Sequence, residues 1–201
     1  MTARTTDVLV VGSGIAGCAA ALAAAREGAE VTVASKATRP KGASSWWAQG
    51  GIAVSKDDPE RFKRDILEAS AGTADPGAID VLVENADDAV TDVLLGTLDV
   101  EFDRTAAGER ATGTSIRDGF DFGREAAHSD ERILHVDAST GKAIHVPFLN
   151  HLDARDGVEI REGTAALELI RHEGRVYGAM LERDGDVRPT FAGATVLATG
   201  G

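Results

Sequence analysis

Residues 12–17 read Gly12-Ser13-Gly14-Ile15-Ala16-Gly17, three glycines spaced G-x-G-x-x-G. This spacing suits a phosphate anion. The first glycine permits a tight turn, the second lets backbone approach a pyrophosphate, and the third lets a helix pack closely on a strand. A helix starting here would add free amide N–H groups and the positive end of its dipole. The chemistry that follows is dinucleotide binding. A plain glycine turn between strand and helix is the competing account.

The flanking elements favour the first account. Residues 7–12, DVLVVG, are a β-branched apolar run ending in glycine, the pattern of a buried strand. An alanine-rich helix follows and stops at Gly28, and residues 30–35, EVTVAS, supply a second strand. Residues 1–35 thus make a βαβ dinucleotide unit. The acidic residue that commonly ends such a second strand is replaced by Ser35 and Lys36. Ser35 would bond a ribose or a phosphate, and Lys36 would pair with a phosphate or face solvent. The closing VLATGG, residues 196–201, would let the chain cross close to a bound dinucleotide. The glycine motif alone leaves NAD and FAD both open.

Residues 36–54 read as a glycine- and serine-rich loop containing ASSWWAQGGIA, where the two tryptophans of the chain, Trp46 and Trp47, stand side by side. A core strand, an exposed partner patch and a loop held against something flat are the three readings. Flanking serines and glycines without alternation argue against the strand. Residues 55–98 form a helical segment. PERFKRDILEASAG places Phe62, Ile66, Leu67 and Ala69 at helical spacing. Asp75 and Pro76 then open a helix to about Leu98, with Val81, Leu82, Asn85, Ala89, Val93 and Leu94 on one face.

Residues 99–123 read as loop with a short hairpin, and ILHV (133–136) as a strand. A helix opened by Ser139 or Thr140 follows, weakened by Pro147. Residues 158–201 give several strands, with turns at Glu173-Gly174 and at Gly185 and a final strand over 194–198. The fold class is α/β: a Rossmann-like domain with a parallel sheet, helices and an antiparallel β-meander. No repeat or interdomain linker is visible.

Composition narrows the class. At 201 residues and 43% hydrophobic, the chain can bury a core of one domain or one and a half. The 33 acidic residues outnumber the 21 basic ones, for a net charge of −12, and are spread evenly. Such spread fits a solvated anionic surface, as in a high-salt cytoplasm. No basic stripe supports nucleic-acid binding. The lone Cys18 excludes an internal disulfide, agrees with a reducing compartment, and reads as a buried structural thiol. No signal pattern and no membrane-length apolar run appear, so a soluble cytoplasmic protein is expected. No metal site is assigned.

GSGIAG (12–17), SSWWAQGGIA (44–53), REAAHSDERILH (124–135) and the closing VLATGG occur in that order. Together they resemble the succinate dehydrogenase and fumarate reductase flavoprotein family, in particular its branch that oxidises L-aspartate. The resemblance covers essentially the whole chain and implies an FAD-binding domain. Ser13, Gly14, Ile15 and Ala16 would cradle the FAD pyrophosphate, with Gly12 and Gly17 framing the turn. Lys36 would lie near the adenosine ribose, and Ala166 near the adenine. Ser44, Ser45, Trp46, Trp47, Ala48, Gln49, Gly50 and Gly51 would wrap the flavin. Relatives with covalent flavin carry a histidine in this loop; Ser44 occupies its place, so FAD would be bound noncovalently.

The resemblance also implies that Glu125 faces the substrate ammonium, selecting aspartate over succinate by charge. A surface glutamate paired with Arg124 or Arg132 is the alternative. His128 and Ser129 would touch flavin or substrate, or His128 would simply pack. Arg132 and His135 would hold the segment, and Asp137 would cap the next turn. The implied reaction takes hydride from the aspartate Cα to flavin, giving iminoaspartate, with reoxidation by oxygen or fumarate. Iminoaspartate would pass to quinolinate, by quinolinate synthase, and on to NAD.

Family members continue for several hundred residues beyond the stretch matched by this chain. The implied molecule is therefore the N-terminal part of the FAD-binding domain. The capping domain, the main catalytic arginine and the C-terminal helical domain would lie outside residues 1–201. Two alternatives stay open: a non-catalytic FAD-binding remnant or subunit of a split enzyme, and a succinate- or fumarate-specific flavoprotein.

Overall fold

The computed structural model describes residues 4–38, 40–106, 116, 119–137 and 139–200. The chain divides into two compact units: residues up to Trp47 with those from His145 onward, and Ala48–Ile144.

In the first unit, β1 (Arg4–Val11), helix α1 (Ile15–Arg26) and β2 (Val31–Ala34) form the expected βαβ arrangement. β1 pairs in parallel with β2, Val8 opposite Val31 and Val11 opposite Ala34. The interior position of β1 explains its unbroken apolar run, since Leu9, Val10 and Val11 are all buried. α1 buries Gly17, Cys18, Ala21, Leu22 and Ala25, small side chains that let helix and strand approach closely.

Three further strands, β7 (Ala165–His172), β8 (Arg175–Arg183) and β9 (Asp186–Leu197), make an antiparallel meander. Together with β6 (Val158–Arg161) they complete a six-stranded sheet ordered β6-β2-β1-β9-β8-β7. Both meander turns have two residues, each with positive φ: Glu173 and Gly174, then Asp184 and Gly185. This is the turn geometry whose twist matches that of a hairpin. The predicted final strand over 194–198 is longer than its sequence suggests. β9 begins at Asp186, antiparallel to β8, and continues in parallel beside β1 from Thr190 to Leu197. Gly193 and Pro189 had hidden that continuity.

The second unit contains α3 (Pro59–Ala69), α4 (Pro76–Ala89) and a small sheet of β3 (Ile52–Ala53), β5 (Ile133–Leu134) and β4 (Phe122–Gly123). Asp58 and Asp75 cap the two helices, accepting from Arg61 N and Ala78 N at 2.9 and 3.0 Å. The helix predicted from Asp75 is real, but after Ala89 it continues as a π-helical stretch, Val90–Thr97. Its buried face also differs: Ile79, Val83, Val90, Leu94 and Leu95 are buried, whereas Val81 and Leu82 are 64% and 53% exposed. Phe62 of α3 decides the matter by packing on Ile79 and Val83. Leu67, predicted on the inner face of α3, is exposed. Of the hairpin predicted in 99–123, an antiparallel bridge joins Arg104 to Phe120, while 107–115 and 117–118 lie outside the described residues.

Helix α5 (Thr140–Asp153) starts where predicted and carries Pro147 inside it. Among the described residues, no helix is long and apolar enough to cross a membrane.

Candidate functional site

β1 ends at Val11 and the chain turns at Gly12, whose φ is +110°. A Cβ there would run into the Ala198 carbonyl, and one at Gly17 into the Gly12 carbonyl. The protein's own backbone therefore requires both glycines. Gly14 is different. The nearest atom to a Cβ at Gly14 is Ser45 Oγ at 3.4 Å, an ordinary contact. Packing does not demand this glycine, and the backbone beside it is open to close approach. Gly14 offers α1 no capping side chain, and Ser45 Oγ accepts from the Ile15 N–H at 3.0 Å instead.

Hydroxyls gather around this turn. Ser13 Oγ and Ser35 Oγ are 2.7 Å apart, and buried Ser35 also donates to Ala37 O at 3.2 Å. A cleft of about 250 Å³ is lined by Gly12, Ser13, Gly14, Ser35, Lys36, Ser44, Ser45, Thr199 and Gly200, among others. A second, of about 190 Å³, shares Gly12, Lys36 and Thr199 and adds Ala165 and Ala166. Among the described residues, no carboxylate lines either one. In a chain of charge −12, a double cleft of amides, hydroxyls and one lysine suits a diphosphate with a nucleoside at one end. The unit's larger cleft, about 330 Å³, has arginines and aspartates in its lining and no glycine turn. There Arg188 pairs with Asp186 and Arg183 with Asp184. Arg4 and Arg161 both pair with Glu159, so each arginine of this lining already has a carboxylate partner.

The tryptophan pair falls in a single helical turn, α2 (Ser44–Trp47), and not in a plain loop. Trp47 is 66% exposed and donates its indole N–H to Lys41 O at 2.8 Å, while Lys41 Nζ lies 5.9 Å from the Trp46 ring centroid. Cys18 is buried as expected, and burial pushes its thiol up to about 12.

In the second unit, Ala48 O accepts from Gly141 N at 2.8 Å, and Gln49 O from Thr140 Oγ1 at 3.4 Å. Gly51, with φ +143°, lies against the Leu134 carbonyl, and a side chain there would collide with β5. A Cβ at Gly50 would stand 2.9 Å from Glu125 Oε1. Glu125 is thus laid against the AQGGIA segment. Arg132 does not hold it: that guanidinium, 1% exposed, is 3.8 Å from Asp65 Oδ2 and donates to Val54 O and Ser55 O at 3.4 and 3.2 Å. It also sits over the Phe62 ring.

The neighbours of Glu125 turn toward α3. His128 packs its ring on Phe62, centroids 5.8 Å apart. Ser129 N donates to Asp65 Oδ2 at 2.9 Å, and Arg61 Nε donates to Ser129 Oγ at 2.8 Å. His135 Nδ1 meets Asp103 Oδ2 at 3.0 Å, and the Asp137 N–H donates to that same oxygen at 2.7 Å. Arg132 and His135 therefore brace the segment. Asp137 takes part through its backbone, and Thr140 Oγ1 accepts from Val136 N at the start of α5.

Residues 7–201 match the model of a family described as FAD binding domain. The chain belongs to this family. Its cofactor is FAD, in keeping with the carboxylate-free double cleft. An L-aspartate oxidase of Halobacterium salinarum is 60% identical over 99% of this chain and 38% of its own. One from Caulobacter vibrioides is 36% identical over 96% and 37%. The chain thus spans well under half the length of these relatives. Among solved structures, Mycobacterium smegmatis Sdh1 in complex with UQ1 superposes with a TM-score of 0.86 at 26% identity, covering 100% of this chain and 35% of that one.

Within this FAD-binding domain, sequence reasoning missed His145, a fully buried residue of α5 whose Nε2 lies 2.6 Å from Ser13 O. The available signal was a histidine between Ile144 and Val146, in an otherwise apolar stretch.

Proposed function

We propose that this chain is the N-terminal part of an FAD-dependent L-aspartate oxidase. The carrying observation is Glu125, whose carboxylate lies against Gly50 and, among the described residues, has no ion-pair partner. Of the two arginines that could have taken it, Arg132 is committed to Asp65, and Arg124 makes no ion pair with it among the described residues. An exposed carboxylate free of a protein cation suits the ammonium of an amino acid, and succinate has no such group. Identity of 60% to the Halobacterium salinarum enzyme supports the same reading.

FAD supplies the hydride-accepting chemistry. The residues of this chain bind and orient. Gly14, Ile15 and the Ser13–Ser35 hydroxyl pair would hold the pyrophosphate. Lys36 would lie by the ribose and Ala166 by the adenine, since both line the second cleft. Ser44 through Gly51 would follow the flavin, and Ser44 lacks an imidazole for covalent attachment. Glu125 would position the substrate ammonium, while His128, whose ring packs on Phe62, would support the segment. Product iminoaspartate, acceptors oxygen or fumarate, onward use toward quinolinate and NAD, and a cytoplasmic location complete the proposal.

The test is turnover of L-aspartate and succinate by the intact protein and by Glu125→Gln. Losing one charged hydrogen bond should lower kcat/KM for aspartate by about 30-fold and leave succinate turnover nearly unchanged. An unchanged aspartate preference would remove Glu125 from the site. Faster succinate than aspartate oxidation by the parent would favour the succinate-specific reading. Acid precipitation should release the flavin, and a yellow pellet would contradict noncovalent binding.

A further inference from the structure

His145 is fully buried on α5, near the equally buried Ile144, Phe148 and Leu152. A polar ring among apolar side chains is costly unless it is hydrogen-bonded. Among the described residues its one bond is to Ser13 O, at 2.6 Å. A carbonyl can only accept, so Nε2 carries the hydrogen, and Nδ1 has no partner among the described residues. Cys18 Sγ donates to the same carbonyl at 3.4 Å, so both lone pairs of Ser13 O are engaged. Neither contact is needed to start α1, whose first internal bond already runs from Cys18 N to Gly14 O.

The consequence lies on the other side of the peptide. Among the described residues every peptide is trans, and in a trans peptide the C=O and the following N–H point in opposite directions. Tying Ser13 O back toward α5 turns the Gly14 N–H the other way, toward the cleft that Ser13 and Gly14 line. Rotating this peptide by half a turn would present a carbonyl oxygen to the anion where a donor should stand.

We infer that His145 is a positioning residue for the cofactor: by holding the Ser13 carbonyl it aims the Gly14 N–H at the FAD pyrophosphate. The bond spans 132 positions of sequence, so α5 presets the anion-binding turn before the cofactor arrives. The inference rests on the FAD site and is independent of the substrate oxidised.

The test compares His145→Phe, which fills the space without a donor, with His145→Gln, whose amide can place an N–H near the Nε2 position. Dissociation constants for FAD and for ADP are measured on the intact protein, with 31P spectra of bound FAD and melting of the apoprotein. Losing the preset donor should weaken both ligands about tenfold in the Phe variant, and Gln should recover most of that loss. The 31P resonances of the Phe variant should also shift. A residue that only packs would lower the melting temperature and leave both constants within about twofold, and that result overturns the inference. If the Phe variant does not fold, His145→Asn replaces it, because its amide lies nearer Nδ1. Equal FAD affinity for Asn and Gln would then overturn the inference. Failure of the parent to bind either ligand would instead count against the FAD site itself.

Discussion

Gly50 and Glu125 are in contact across the second unit: a methyl group on residue 50 would stand 2.9 Å from Glu125 Oε1. The obstructing atom is the far end of a flexible side chain, so the carboxylate can move aside at little cost. Gly50→Ala should therefore change stability by less than about 1 kcal/mol. If Glu125 orients the substrate ammonium as proposed, displacing it should still lower kcat/KM for L-aspartate about tenfold or more. Steady-state kinetics at matched flavin content check this. Unchanged kinetics would mean that the contact has no bearing on substrate.

Arg132 and Asp65 form the buried pair that fixes the segment carrying Glu125. Removing one partner strands a buried charge, so Arg132→Leu should cost about 3 kcal/mol in urea unfolding. Adding Asp65→Leu should return part of that loss. If the double variant is as unstable as the sum of the singles, the two charges are not coupled.

Acid should weaken the same brace. Burial alone would raise the Asp65 carboxyl, but the Ser129 hydrogen bonds, then Arg132 and His128, outweigh it and hold Asp65 below its ordinary 3.8. The folded value lies below the unfolded one, so this stabilisation is present in full above the unfolded value and disappears as pH falls through the folded one. Thermal unfolding of the parent should lose stability below pH ~4 more steeply than that of Asp65→Asn. Identical acid limbs would refute the assignment.

Cys18 should be silent to reagents. Its thiol is raised from 9.0 to about 12 by burial, so little thiolate exists in the folded protein at neutral pH. Iodoacetamide should label it only in denaturant. Between pH 9.0 and about 12 the folded protein keeps a proton that the unfolded chain releases, so stability should fall across that window. Rapid labelling under native conditions at pH 7 would place the thiol outside the core.

The βαβ unit was legible because Gly12, Gly17 and the apolar run before them are each demanded by local geometry. The two hairpin turns were legible for the same reason: Gly174 and Gly185 sit at the positive φ their turns require. The inner face of α4 was not. Ile79, Val81, Leu82 and Val83 are all apolar, so periodicity could not choose among them, and Phe62 from another helix did. His145 was unreadable for a related reason, since the partner that gives it meaning lies at Ser13. The position of Glu125 against Gly50 likewise joins segments that no local pattern connects.

β9 pairs with β8 on one side and β1 on the other, and the Ala198 N–H just beyond it donates to Val11 O at 2.8 Å. The Ala198 carbonyl also fills the space that a side chain at Gly12 would need. The first turn of the binding cleft and its closing wall are therefore interlocked, although one follows β1 and the other ends the meander. Amide exchange at Gly12 and Ala198 should proceed through one shared opening event, slowed together when FAD is bound. Any loosening of the turn at Gly12 would then also loosen the wall at Ala198, a lock with two keepers and a single bolt.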